Sequence, residues 1–475
     1  MFKINQKTPK YNIDGFTKNS DLCIRNFNRL NYMNYRRLFL LIIMVLSINI
    51  FYVSGQEMAL SIEQMFELCD QNSRNLKLSA TEVEKAQQAT RVAQSTLSPT
   101  IGVNLSANYL GGASIPKDFS GYDYQVIADN MNPYQFNFAL EASQVLYAGG
   151  ALSSQIKLAK LDAQIAELAH SDNRQAMRLL LVGNYIELYK LNNYKRVYEK
   201  NIELTNRLLA DIRSKQVEGL ALKNDITRYE LQLQSIELGL IQVENAIKII
   251  NDQMVITLGL PRGTNIVVAS NLLDELPLLA SEAEWQASAE ERNIAIKKAE
   301  LGSQQAEEAE QLAGSDMKPT IAAFAATRLD GTIIDALPDM NMVNSNFHYW
   351  YAGVGVKYNL SSLYKTNRKV KEARFATAQA REAAELVREE IEIAVNAAYT
   401  KFVESFDIYN TQKKSVVLAT ENYDVVNKRY MNDLVLITDM LDATTEKLNA
   451  ELQLENAHAT ILFNYFKLCH LTNQL

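Results

Sequence analysis

The chain has 475 residues, of which 18 are Gly and 8 are Pro, so Gly stays under 4% and Pro under 2% against usual frequencies of about 7% and 5%. That composition excludes a loop-rich, collagenous or low-complexity protein, and a formal net charge of −7 argues against a nucleic-acid partner, which would need a basic face. Length alone predicts about three globular domains, an estimate that very long helices would overturn.

Arg36-Arg37 precede an apolar run from Leu38 to Tyr52, and Val53-Ser54-Gly55 supplies small residues ahead of Gln56. The run is shorter than the roughly 20 residues that span a bilayer, so residues 1–55 read as a secretory signal peptide rather than an uncleaved anchor. Residues 1–32 read as an N-terminal extension, with Met33 an alternative start. Cleavage leaves 40 basic and 53 acidic side chains, a net of −13. It also leaves Cys69 and Cys469, two distant thiols that make neither a disulfide framework nor a metal cluster. No apolar run of 18 residues follows position 55, so any membrane crossing must be made by strands.

An internal repeat organises the rest, dividing it into units 56–278 and 279–475. Ser61-x-x-Gln64 and Ser281-x-x-Glu284 both have the form of a capping box that opens a helix. Pro99-Thr100-Ile101 recurs as Pro319-Thr320-Ile321, and Leu220 to Asp225 recurs as Leu434 to Asp439. Each unit reads as helix, strand, loop, strand, very long helix, turn, long helix.

In the first strand Ile101, Val103, Leu105, Ala107 and Tyr109 alternate with Gly102, Asn104, Ser106 and Asn108, the period of two expected when one face is apolar and the other wet. The second sets Phe136, Phe138, Leu140 and Ala142 against Asn137, Ala139, Glu141 and Ser143. The third, from Thr320 to about Leu329, alternates poorly and is assigned by its place in the repeat. The fourth sets Trp350, Ala352, Val354 and Val356 against Tyr351, Gly353, Gly355 and Lys357. Strands of about ten residues suit a tilted transmembrane β-strand, and Tyr349, Trp350 and Tyr351 fit an interfacial aromatic girdle. A soluble sandwich edge packed on the helices is the alternative. Four strands cannot close a barrel, since membrane barrels start at about eight, so a membrane reading requires oligomerisation.

The prolines spare Tyr134 to Leu260 and Asp339 to Leu475, and after Gly355 there is neither Gly nor Pro for 120 residues; these are the two residue types that usually end helices. Helices are predicted from about Gly150 to Val217 and from Tyr364 to Arg429. In the helix that follows the first of these, Leu222, Ile226, Tyr229, Leu233, Ile236, Leu240, Val243, Ile247, Ile250 and Met254 keep a 4-3 spacing, the seam of a left-handed coiled coil.

No catalytic constellation is visible: the four histidines are isolated, no phosphate-binding glycine loop is present, and Met340 and Met342 read as loop methionines. Neither metal nor cofactor is predicted. Asp439 and Asp442 share a face at the start of the last helix, with Tyr430 before the turn and Asp225 at the equivalent place in the first unit. Carboxylates there complement the helix dipole; in a symmetric oligomer they would also form a ring.

Two repeats of strands and long helices behind a signal peptide resemble the TolC-type outer-membrane efflux proteins. The resemblance is carried by Arg429-Tyr430, by Leu436 through Thr445, by Gly219 through Asp225 and by Leu146-Tyr147-Ala148-Gly149-Gly150. It implies a mainly α fold with membrane β, in which a homotrimer contributes four strands per chain to a 12-stranded β-barrel continued by an α-helical periplasmic tunnel. It further implies an outer-membrane lipid environment, with a periplasmic adaptor (a membrane fusion protein) and an inner-membrane pump of RND, ABC or MFS type as partners. Asp439 and Asp442 match the family's acidic entrance ring, and Asp225 and Tyr430 its gate network. The tips at Gly219, Leu220, Asp433 and Leu434 would meet the adaptor. An arginine of that network falls at Val435 and a turn glycine at Asp433, which makes Arg429, Lys223 or Arg228 the candidate gate partners. The expected function is a passive exit duct for efflux or type I secretion, not an enzyme; a periplasmic coiled-coil adaptor or a scaffold is the alternative.

Overall fold

The computed structural model describes residues 57–109, 134–269, 277, 280–331 and 347–475. The signal peptide, the loops around 111–133 and 332–346 with Met340 and Met342, and the boundary at 278 lie outside the described residues. The chain divides into two compact units, one made of residues up to Ala59 with Leu260–Val267, the other of Leu60–Gly259 with Val268–Leu475. Two short strands, β1 (Glu57–Leu60) and β4 (Asn265–Val268), pair with each other, and all but their last residues belong to the first unit; alternation in the sequence does not mark them.

The second unit contains the repeat. Its first half runs α1 (Ile62–Asn72), α2 (Arg74–Ser95), β2 (Thr100–Tyr109), β3 (Tyr134–Ala148), α3 (Ala151–Val217) and α4 (Lys223–Leu258). Its second half runs α5 (Glu282–Arg292), α6 (Ile294–Ser315), β5 (Thr320–Asp330), β6 (Phe347–Lys357), α7 (Ser362–Met431) and α8 (Ile437–Leu471). Both predicted capping boxes form: Ser61 Oγ accepts from Gln64 N and Gln64 Oε1 from Ser61 N, and Ser281 and Glu284 do the same. The single opening helix expected in each half is instead two, broken at Ser73 and Asn293, whose backbones leave the helical region. Asn293 then caps the second piece, its Oδ1 accepting from Ala295 N at 2.8 Å.

Strands β2, β3, β5 and β6 form one antiparallel sheet in that order. The strand β3 is longer than the alternating stretch because residues up to Ala148 continue the pairing through a register shift between Val145 and Tyr147. Alternation across this register sorts the side chains cleanly. Every charged side chain of the sheet, Glu141, Arg328, Asp330 and Lys357, falls on one face with Asn104, Ser106 and Asn137. The other face presents Val103, Leu105, Phe138, Leu140, Trp350 and Val354, exposed in the isolated chain.

At the strand-to-helix join Gly149 has φ +66°, and a Cβ there would lie 2.5 Å from the Ser315 carbonyl oxygen. The close approach excludes a side chain there, and the left-handed φ favours glycine. Helix α3 has 67 residues and α7 has 70, about 100 Å each at 1.5 Å per residue. They pair with α4 and α8 as two hairpins, and the hairpins meet where α3 packs on α8. There Asn193 Nδ2 donates to Glu455 at 2.6 Å and Asn201 Nδ2 to Glu451 at 3.0 Å. The predicted seam of α4 is the buried one: Tyr229, Ile236, Val243 and Met254 are all enclosed, while Leu222 at its start stays exposed. A core of Trp285, Val395, Phe402, Ile461 and Leu468 ties α5, α7 and α8 together.

Candidate functional site

The two hairpin turns lie beside each other above an apolar cluster of Leu208, Leu209, Ile212, Tyr229, Tyr423, Tyr430 and Met440. Tyr430 is 8% exposed, and burial, with the carboxylates of Asp225 and Asp433 adding repulsion, pushes its hydroxyl up to a pKa of about 12. Each turn closes in the same way. Leu220 N donates to Lys215 O and Gly219 N to Gln216 O; Leu434 N donates to Arg429 O and Asp433 N to Tyr430 O. Gly219 and Asp433 both take left-handed φ values, +80° and +58°, so Asp433 holds the conformation for which glycine is the usual choice.

The acidic residues divide by role. Asp225 Oδ2 accepts from Leu222 N at 3.0 Å and Asp439 Oδ2 from Leu436 N at 3.1 Å, so both cap the amino ends of the returning helices, where the helix dipole also favours them. Asp442 is exposed on the next turn. Two exposed carboxylates, of which Asp439 caps the helix, therefore stand at the start of α8.

At the turns a cation, Lys215, joins the hairpins. Its Nζ donates to Asp433 Oδ1 at 2.8 Å, Met431 O at 3.0 Å and Tyr430 O at 3.2 Å, and lies 5.4 Å from the centre of the Tyr430 ring. A cation at the carbonyl end of α7 is favoured by the helix dipole, and the aromatic face adds to it. The candidate partners Arg429, Lys223 and Arg228 are instead exposed in the single chain and take no part in this contact. Val435, where the expected arginine is missing, packs against the apolar cluster. Deeper in the same region Lys447 is 8% exposed, with Nζ 4.4 Å from the Tyr423 ring centre.

Leu220, Leu222, Leu434 and Leu436 are all more than 60% exposed, an apolar crown on the tips. At the sheet, the three aromatic residues expected to form a girdle divide between faces. Tyr349 and Tyr351 stack at 6.3 Å on the face of Arg328, which pairs with Glu141 and lies over the Tyr351 ring. Trp350 alone joins the apolar face, because side chains alternate along a strand. Among the described residues no group of His, Cys, Asp or Glu is placed to hold a metal ion, and no helix is long and apolar enough to cross a membrane.

A family model described as outer membrane efflux protein matches residues 67–259. Outer membrane protein TolC of Salmonella enteritidis is 21% identical over 409 residues, covering 85% of this chain and 80% of that protein. Among solved structures, VceC from Vibrio cholerae has a TM-score of 0.71 at 15% identity, over 87% of this chain and 96% of that one. The MtrE outer membrane channel of Neisseria gonorrhoeae, solved in its open state, has a TM-score of 0.69 at 13% identity, over 87% and 88% of the two chains.

Proposed function

We propose that this chain, a member of the TolC-type outer-membrane efflux protein family, is the outer-membrane exit duct of a three-part export machine and works as a homotrimer. The protein is an outer-membrane channel rather than an enzyme, so its residues hold and open a passage instead of transforming a substrate.

The sheet carries this reading. One face is apolar and exposed, every charged side chain is on the other, and among the described residues β2 and β6 pair on one side only. Lipid contact on the first face and water on the second is the arrangement of a membrane barrel. A free strand edge in lipid leaves backbone groups unsatisfied, so the sheet must continue into another chain. Three copies supply twelve strands, above the minimum of about eight. The units 56–278 and 279–475 would then each add one hairpin to a ring of six around the periplasmic end.

The tip supports a resting gate. Lys215 holds the two turns of one chain together, while Asp439 and Asp442 would ring the entrance in three copies and favour cations. The exposed leucines of both tips offer an apolar surface to a periplasmic adaptor, and energy for opening would come from an inner-membrane pump engaged through it. Crosslinking intact cells and identifying what comes down with this protein tests the assembly. Recovery of an adaptor and a pump supports the duct; a partner set without inner-membrane proteins contradicts it.

A further inference from the structure

The repeat extends to the contact that joins the hairpins. The offset of 214 that carries Leu220 onto Leu434 also carries Lys215 onto Arg429, Gln216 onto Tyr430, Val217 onto Met431 and Gly219 onto Asp433. The matching turn hydrogen bonds and the left-handed residue of each turn show that the backbones obey the same correspondence.

Packing is continuous from α4 to α3, from α3 to α8 and from α8 to α7, which leaves α4 and α7 at the two ends of the row. Inside the chain, the end of α3 closes against the turn after α7. The repeat of that contact would be the end of α7 against the turn after α3, and within one chain these two lie on opposite sides. Both are bare. Lys215 is 17% exposed whereas Arg429 is exposed, and Met431 is 36% exposed whereas its counterpart Val217 is 89% exposed. Tyr430 is buried and its counterpart Gln216 is exposed. Each surface that the first hairpin covers on the second has an uncovered twin.

We propose that a second copy of this chain covers them, with Arg429 as the counterpart of Lys215: its guanidinium donates to the carbonyls of Gln216 and Val217 at the end of α3 in the neighbouring copy. A guanidinium has five N–H donors and no acceptor, and a helix carboxyl end presents carbonyls and negative potential to it. This inference rests on the trimeric reading above and adds an order of release to it. Gly219 stands where Asp433 stands, so the joint between copies has no carboxylate at the position that anchors Lys215. The six joints of the ring then alternate, strong within a chain and weak between chains. Opening starts between chains.

Two experiments on the full chain in detergent test this. Arg429→Cys with Val217→Cys, after mild oxidation, is expected to give a reducible ladder reaching three chains on a denaturing gel. Lys215→Cys with Met431→Cys is expected to stay at the mass of one chain, because that joint closes within it. Amine crosslinking of the same samples separates the two levels of the reading. Trimers by amine crosslinking without a cysteine ladder overturn the joint and leave the trimer standing, as would a tip surface reserved for an adaptor; no trimers overturn the trimer itself. The second experiment is Gly219→Asp, whose Cβ meets nothing within 4 Å and which takes on the left-handed backbone strain that Asp433 already bears in the other turn. It is expected to lower resting conductance in planar bilayers several-fold, and Arg429→Ala is expected to reverse that fall. Conductance unchanged by Gly219→Asp overturns the weak-joint assignment.

Discussion

Lys215 Nζ lies 2.8 Å from Asp433 Oδ1, an ion pair between residues 218 positions apart that joins the two hairpin tips of one chain. The same ammonium donates to the carbonyls of Tyr430 and Met431, so its loss strands the end of α7 as well as the carboxylate.

Replacing Lys215 by Met keeps the apolar stem and removes the donors. Hydrogen bonds from charged groups contribute about 1.5–3 kcal/mol, and the exposure of Asp433 to solvent lowers its share. The expected loss is about 1–2 kcal/mol of tip stability, read as faster amide exchange at Asp433 and Leu434 and as raised resting conductance. Exchange and conductance both at the parent level would show that the contact does not hold the tip.

Asp439 has two separable properties, since its cap needs an acceptor oxygen and its entrance role needs a charge. Asp439→Asn keeps the acceptor, so protection of the Leu436 amide should persist while cation selectivity falls. Asp439→Ala should lose both, with about 1 kcal/mol of helix stability. Asp442→Asn should alter selectivity alone. Selectivity unchanged in all three variants would confine Asp439 to capping.

Alkali should release the tip through Tyr430. Its pKa is raised from 10 to about 12, chiefly by burial, so the native site favours the neutral hydroxyl. Below pH 10 both states hold the proton and the contribution to stability is complete. Between pH 10 and 12 the unfolded chain ionises first, and stability is lost as pH rises. Tyrosinate absorbance followed alongside conductance should show opening in that window, and Tyr430→Phe should blunt it. Opening complete below pH 9 would assign the transition to another group.

The two faces of β2 should respond oppositely to charge. Leu105→Arg places a cation on the apolar face, at a cost of about 2–4 kcal/mol if it lies at mid-membrane, whereas Ser106→Arg faces the wet side and should be near neutral. Urea unfolding of the lipid-reconstituted protein measures both. Equal effects would contradict a lipid-facing assignment for Leu105.

Much of this fold is legible in residue order. Alternation locates β2, the start of β3 and β6, the lack of Pro locates α3 and the lack of both Gly and Pro locates α7, because those signals are local. The breaks at Ser73 and Asn293 are missed, since neither residue interrupts apolar spacing strongly. The aromatic run Tyr349-Trp350-Tyr351 reads as one girdle in sequence, yet period-two geometry must send its middle residue to the opposite face. Lys215 is also missed: nothing near it indicates a contact with a turn more than two hundred residues away. The signal that could have found it is the repeat, which sets Lys215 and Arg429 at equivalent helix ends.

A duct requires, above all, closure of the sheet by other chains. Static light scattering of the detergent-extracted protein, with detergent mass subtracted, measures this directly. The predicted result is a particle of three chains that stays intact on dilution. A stable single chain, with β2 and β6 unpaired at their outer edges, would contradict the duct.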